Sequence, residues 1–347
     1  MNPKRLTVIL LVPLALVLTL LGARRCNAPQ KVESGLYIQE RIYTGARADI
    51  WTARFGPGDS LIAAASVDSS LYIWNSATGA LVRALRQPCG LTSASWSPDG
   101  TMLVSSGYDG ALYLWSWPAG VLLRRIAAHT GTAWAVRFSP DGRAIVSCGE
   151  DRTVQVRQVP GGALLHRLAK HTLNVWDAAF SPDGKWIASG SFDTKLLLWG
   201  AADGQLRASF AEHGEAVVSL AFSPDGRLLA STSDDNSVRI RDVAGGSTLH
   251  VLHTTEHQQG VAFSPDGRQL LTCGRDKNML GELEQNFFGE ETTNPGVSMR
   301  LWDLQTGAVL QTFSGHANDA NDVQFSTDGS RILSAGADKK VILWKRK

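Results

Sequence analysis

"VWDAAFSPDGKWIASGSFDTKLLLW", Val175–Trp199, holds three short apolar runs separated by two turns. Val175, Ala178 and Phe180 lead into Pro182-Asp183-Gly184, where proline fixes φ and glycine accepts the positive φ of a tight reversal. A second run, Trp186 to Ser189, turns at Phe192-Asp193 into a third, Leu196 to Trp199, and a fourth segment, "QLRASF", follows Gly204. Such a unit reads as a four-stranded antiparallel sheet with two apolar faces, and alone it cannot bury both.

Outward from this stretch the same signature recurs. "FGPGD" at Phe55, "WSPDG" at Trp96, "FSPDG" at Phe138, Phe180, Phe222 and Phe263, and "FSTDG" at Phe325 follow one another at intervals of 41, 42, 42, 42, 41 and 62 residues. A fixed period of this size marks a repeat architecture. Seven sheets packed face to face around an axis bury both faces of each, so residues 35–347 read as an all-β, seven-bladed β-propeller. The 11 Trp, 34 Gly and many Ser-Pro-Asp-Gly turns fit short strands better than helices. The last repeat stops at "VILWKRK", after its third strand, while "GLYIQERIYTG" (Gly35 to Gly45) reads like the fourth-strand segment "GAVLQTFSGH" at Gly307. The N-terminal segment is therefore expected to complete the seventh blade and remove two open sheet edges.

These motifs resemble the WD40-repeat β-propellers, whose pattern runs Gly-His, about nine residues to Phe-Ser-Pro-Asp-Gly, then Ser, a turn Asp, and Trp-Asp. The seventh unit carries Gly315-His316, Ser334, Asp338 and Trp344, and the fourth carries His171, Ser189, Asp193 and Trp199. His, Ser and Asp are also the ingredients of nucleophilic catalysis. Against that reading the set recurs around the ring, and the indole N–H of the following Trp can donate to the Ser hydroxyl. The resemblance implies a structural network, Asp to His to Ser to Trp, that fixes strand register. Units three and five have Arg157 and Arg241 in place of the Trp; units one and two lack the His, and unit six leaves it open between His253 and His257. Complete networks are expected only in blades four and seven.

The resemblance also implies that one rim is made by loops entering the first strands and by turns between second and third strands. Trp51, Trp134, Trp176 and Asn321 stand four residues before the Phe of the turn motif, and Tyr108 and Phe192 stand just before the turn Asp. Large aromatics at nominally exposed positions suit interface anchors, though they could equally cap the channel mouth. Three classes remain: a non-catalytic docking platform for one or more proteins, an enzyme or small-ligand binder using the central channel, and a structural envelope component. No His/Cys/Asp/Glu set has metal spacing, and no cofactor is implied.

Residues 1–34 read differently. Lys4 and Arg5 precede an apolar run from Leu6 to Gly22, which as a helix could just cross a thin hydrocarbon core. Arg24 and Arg25 sit where signal processing wants small residues, so a single-pass signal-anchor is expected, with a cleaved secretory signal or a buried helix as alternatives. The propeller is expected on the extracytoplasmic side. Without the five basic residues that precede Glu33, the body has 29 basic and 32 acidic residues and no electrostatic footprint for nucleic acid. Cys148 and Cys273, at matching positions of separate repeats, read as small buried hydrophobes and not as a bridge.

The long interval lies in unit six. About 278–297 is an insertion between second and third strands, carrying Glu282, Glu284, Phe287, Phe288, Glu290 and Glu291. It belongs to the same rim as the aromatics, as a tolerated surface loop or as an arm of the partner site.

Overall fold

The computed structural model describes residues 35–274 and 299–347. These form seven four-stranded antiparallel sheets, each ordered from an inner to an outer strand. Blade four has inner strand Val175–Phe180, then Trp186–Ser191, Leu196–Gly200 and outer strand Leu206–Phe210. The reason it folds this way is local. Ser181 Oγ donates to Asp183 Oδ1 at 2.6 Å, the Lys185 amide donates to the same oxygen, and the Trp186 amide donates to Ser181 Oγ at 2.9 Å. Gly184, at φ +70°, turns the chain between them. The same Ser–Asp clasp closes the first turn of blades two, three, five, six and seven.

The core is not one mass but seven clusters, each sandwiched between neighbouring blades. Ala178, Ile187, Leu197 and Trp199 of blade four, for example, pack on Val146, Val154 and Leu168 of blade three. Another cluster joins Ile332 and Trp344 of blade seven to Leu271, Leu301 and Phe313 of blade six. Fully burying each Val, Leu, Ile or Phe side chain among them stabilises the fold by roughly 1.5–3 kcal/mol, so every blade depends on both neighbours.

The ring closes as the sequence suggested. Tyr37–Tyr43 pairs antiparallel with Val341–Arg346, from Tyr37 opposite Arg346 to Tyr43 opposite Val341, with one register slip at Glu40. Gln311 of blade six clamps the start of this strand: its Oε1 accepts from the Tyr37 amide at 2.9 Å and its Nε2 donates to the Tyr37 carbonyl at 2.7 Å. The Tyr37 hydroxyl donates to the Gly329 carbonyl.

In blade six Gly274 ends the second strand and Met299 begins the third, with Cys273 opposite Met299. Phe287, Phe288 and the rest of the insertion lie outside the described residues, as does the helix expected over residues 6–22. Among the described residues no helix is long and apolar enough to cross a membrane. Cys148 and Cys273 are buried and free.

Candidate functional site

Every inner strand has the same irregularity. The pairing register slips between its first and third residues, at Ile50/Thr52, Leu91/Ser93, Ala133/Ala135, Val175/Asp177, Val217/Ser219, Gln258/Gly260 and Ala320/Asp322. A bulge of this kind re-aims a side chain out of the ladder. The bulged residues are Trp51, Thr92, Trp134, Trp176, Val218, Gln259 and Asn321, and all seven line the cavity at one mouth of the channel.

The three indoles come from blades one, three and four and form one connected group with two turn residues. Trp134 and Trp176 lie with ring centroids 4.2 Å apart. Trp51 and Tyr108 each meet Trp134 edge-on, at 6.3 and 6.0 Å, and the Trp51 indole N–H donates to the Tyr108 hydroxyl at 2.8 Å. Phe192 stacks on Trp176 at 5.9 Å. Tyr108 and Phe192 are 38% and 45% exposed, so the cluster opens to solvent on one side. Amides of Tyr108 and Phe192 donate to the Gly90 and Asn174 carbonyls, which places both turns beside the loops entering the inner strands.

Beneath the indoles lie charged groups that the sequence reading missed. Asp177 Oδ2 accepts from Arg137 at 2.8 Å and from the Leu220 amide of blade five at 3.0 Å. Asp322 accepts from Arg54 and from the Ala53 amide across the seam between the last and first blades. Burial pushes the Asp322 carboxyl up, against the opposing pull of Arg54. The available signal was positional: these are the third and fifth residues of inner strands, the ones that face the axis.

The networks start in the same second-to-third turns, where Asp193 follows Phe192, and run buried into the blades. His171 engages Asp193 through Nδ1 at 3.0 Å and Ser189 Oγ through Nε2 at 2.8 Å, and the Trp199 indole N–H donates to the same hydroxyl at 2.9 Å. His316, Asp338, Ser334 and Trp344 repeat this at 2.9, 2.8 and 3.0 Å. His129–Asp151–Ser147 and His213–Asp235–Ser231 make the same bonds without the indole. Arg241 instead reaches Glu212 and Thr248 and lies over the Phe210 ring. In blade two Gln87 stands in the His position and accepts from Ser105, which accepts from Trp115. In blade six the position belongs to Thr254 and to neither His253 nor His257, and the buried Glu256–Arg300 pair lies beside it. All four serines that face a histidine are at most 1% exposed. Triad chemistry needs an accessible nucleophile, and these are struts.

Seven blades with this recurring strut define a propeller of the WD-repeat class. The chain belongs to the WD40 family: the model of the WD domain, G-beta repeat, matches residues 38–75, 79–116, 120–157, 162–200, 204–242, 246–280 and 307–345. It is similar to the Autophagy-related protein 16 of Arabidopsis thaliana, 44% identical over 41 residues, covering 12% of this chain and 8% of that protein. It is also 40% identical over 47 residues to the WD repeat-containing protein 18 of Rattus norvegicus and to the Nuclear distribution protein PAC1 of Arthroderma otae. Those matches cover 14% of this chain in each case, and 11% and 10% of the two relatives. The chain thus matches only about a tenth of the length of these relatives. Among the described residues no group of three His, Cys, Asp or Glu could hold a metal ion.

Proposed function

We propose that this chain is a non-catalytic, membrane-tethered interaction scaffold that docks a protein partner on the aromatic mouth of its channel. The observation that carries the reading is the connected group Trp51, Tyr108, Trp134, Trp176 and Phe192, solvent-open on a rigid ring. Rigid aromatics give large contact area at low entropic cost and are characteristic binding anchors. Membership of a family of WD-repeat proteins supports the scaffold role, and Phe287 and Phe288 would extend the same surface. The tether reading rests on the apolar run Leu6 to Gly22, with the propeller on the extracytoplasmic side.

The test is affinity capture with the intact chain and with a Trp134→Ala/Trp176→Ala variant of unchanged circular dichroism. Loss of one specific partner supports the reading; an identical partner set sinks it. Channel binding of a small ligand is the second reading, favoured by the Arg54, Arg137, Asp177 and Asp322 groups that line the cavity under the indoles.

A further inference from the structure

The outer strands also slip register once each, and in six of the seven blades the residue squeezed out is exposed. In blades one to three the slips fall at Ile73/Trp74, Leu114/Trp115 and Val156/Arg157, each opposite the start of the outer strand. The bulged residues are Val82, Leu123 and Leu165, at 48%, 48% and 50% exposure. Each follows another half-exposed leucine, Leu81, Leu122 or Leu164, so three neighbouring blades present one apolar row at one height on the outer wall. The equivalent bulged position is Arg207 in blade four, Leu249 in blade five, Leu310 in blade six and Glu40 in blade seven, so blade five repeats the exposed leucine but without Lys or Arg in its outer strand.

A second tier lies directly beyond the row. Arg83 and Arg86, Arg124 and Arg125, and Arg167 and Lys170 are exposed along the same outer strands or just after them, Arg125 being paired with Asp109 of the second-to-third turn at 2.9 Å. The third and outer strands of these three blades contain no Asp or Glu at all. The corresponding stretch of blade four mixes Arg207 with Glu212, and those of blades five and six, 247–254 and 308–316, carry no Lys or Arg. Apolar side chains in one tier and guanidinium and ammonium groups in the next match the boundary between acyl chains and anionic headgroups.

The end of the wall also has an orientation. Trp344 lies opposite Gln39 as Trp74 lies opposite Leu81 and Trp115 opposite Leu122. The described chain therefore begins, at Gly35 and Leu36, at the same end of the outer strands as the apolar row, on the blade adjoining blade one. Only twelve residues separate Gly22 from Gly35, a reach of at most about 47 Å fully extended. Third-to-fourth turns at this end bond to first-to-second turns, as in Ser76 to Ser60 and Trp117 to Thr101, so it is the end opposite the aromatic mouth.

We infer that the outer wall of blades one to three lies on an anionic phospholipid surface, seating the ring with its aromatic mouth turned away from the bilayer. This rests on the tether reading above, since the apolar run is what brings the wall to a membrane. The experiment is hydrogen exchange on the full chain reconstituted into vesicles of phosphatidylcholine alone and of phosphatidylcholine mixed with phosphatidylglycerol. Amides of 80–87, 120–127 and 163–170 should exchange several-fold more slowly in the anionic vesicles, with blades four to six unchanged, and high salt or an Arg86→Glu/Arg167→Glu/Lys170→Glu variant should erase the difference. Equal exchange in both lipids overturns the inference, as does equal protection by poly-glutamate without lipid, which would assign the wall to an acidic polypeptide. Flotation with the neutral vesicles reports the tether separately, so failure of the tether and failure of the wall are read on different measurements.

Discussion

The indole of Trp134 lies 4.2 Å from that of Trp176, centroid to centroid, although a whole blade of chain separates them. Both are the bulged residue of their inner strand, and the bulge is what lets them meet over the channel. A double-mutant cycle on Trp134→Ala and Trp176→Ala should give a coupling of about 0.5–1.5 kcal/mol in chemical denaturation, the ordinary worth of an aromatic pair. Strict additivity would show that the two rings do not stabilise one another.

The struts should respond to substitution as structure. Trp199→Phe removes one donor to Ser189 and should cost about 0.5–1.5 kcal/mol. Ser189→Ala leaves both the His171 ring nitrogen and the Trp199 N–H buried without their shared partner, and should cost more, on the order of 2–4 kcal/mol. Urea titration of the two variants decides it; a cheaper Ser189→Ala would contradict the network.

Acid should loosen the same blades in two stages. Burial pushes the His213 imidazole below its ordinary 6.5, against the pull of Asp235. As pH falls below 6.5 the unfolded chain takes a proton that the folded blade refuses, and stability begins to decline. Burial alone would raise Asp193 and Asp235, but His171 with the Thr172 amide, and the Ser237 hydroxyl with the Gly214 amide and His213, hold them at about 2. Their contribution is present above the ordinary carboxylate value of 3.8 and is lost as pH falls from there toward about 2. Denaturation midpoints measured across this range should show a shallower acid limb in Asp193→Asn and Asp235→Asn than in the parent.

One glycine in the second-to-third turns has no substitute. Gly110 has φ +73°, and a Cβ there would come within 2.2 Å of the His129 carbonyl oxygen and 2.3 Å of that of Gly131. Gly110→Ala should destabilise by at least roughly 1–3 kcal/mol. The equivalent position in blade four is Thr194 at φ +69°, a costly conformation for a β-branched residue. Thr194→Gly should leave the melting temperature unchanged or raise it, and thermal melts of both variants test the contrast.

Much of this was legible in the residues because the repeat is local. Each Ser-Pro-Asp-Gly turn and each His, Ser and turn Asp falls at a fixed offset within one unit, so a single unit could be read and then counted. Trp51, Trp134 and Trp176 could be assigned to one rim for the same reason, and they line one cavity. Their mutual contact was not legible, because it depends on bulges and on packing between blades that no single unit encodes. Asp177 and Asp322 were missed although their strand position was legible, because each acts on the following blade, bonding the amides of Leu220 and Ala53. Gln87 in the His position of blade two, and Glu256 with Arg300 in blade six, show the limit of motif matching, since other chemistry fills the same space.

The clamp at the ring closure has its own prediction. Gln311→Ala removes both partners of the buried Tyr37 backbone and should cost on the order of 2–4 kcal/mol, with early exchange of amides 37–43. Exchange no faster than in the parent would show that the clamp is dispensable.

That clamp also decides how the molecule meets force. Tension applied to the chain ahead of Gly35 would enter the ring at Tyr37, where the first strand is zipped to the last. Slippage there does not fray a free end; it unlatches a closed loop of seven wedges. Gln311 and the Tyr37 hydroxyl therefore sit where a mechanical fuse would be placed, on the one short strand that closes the ring.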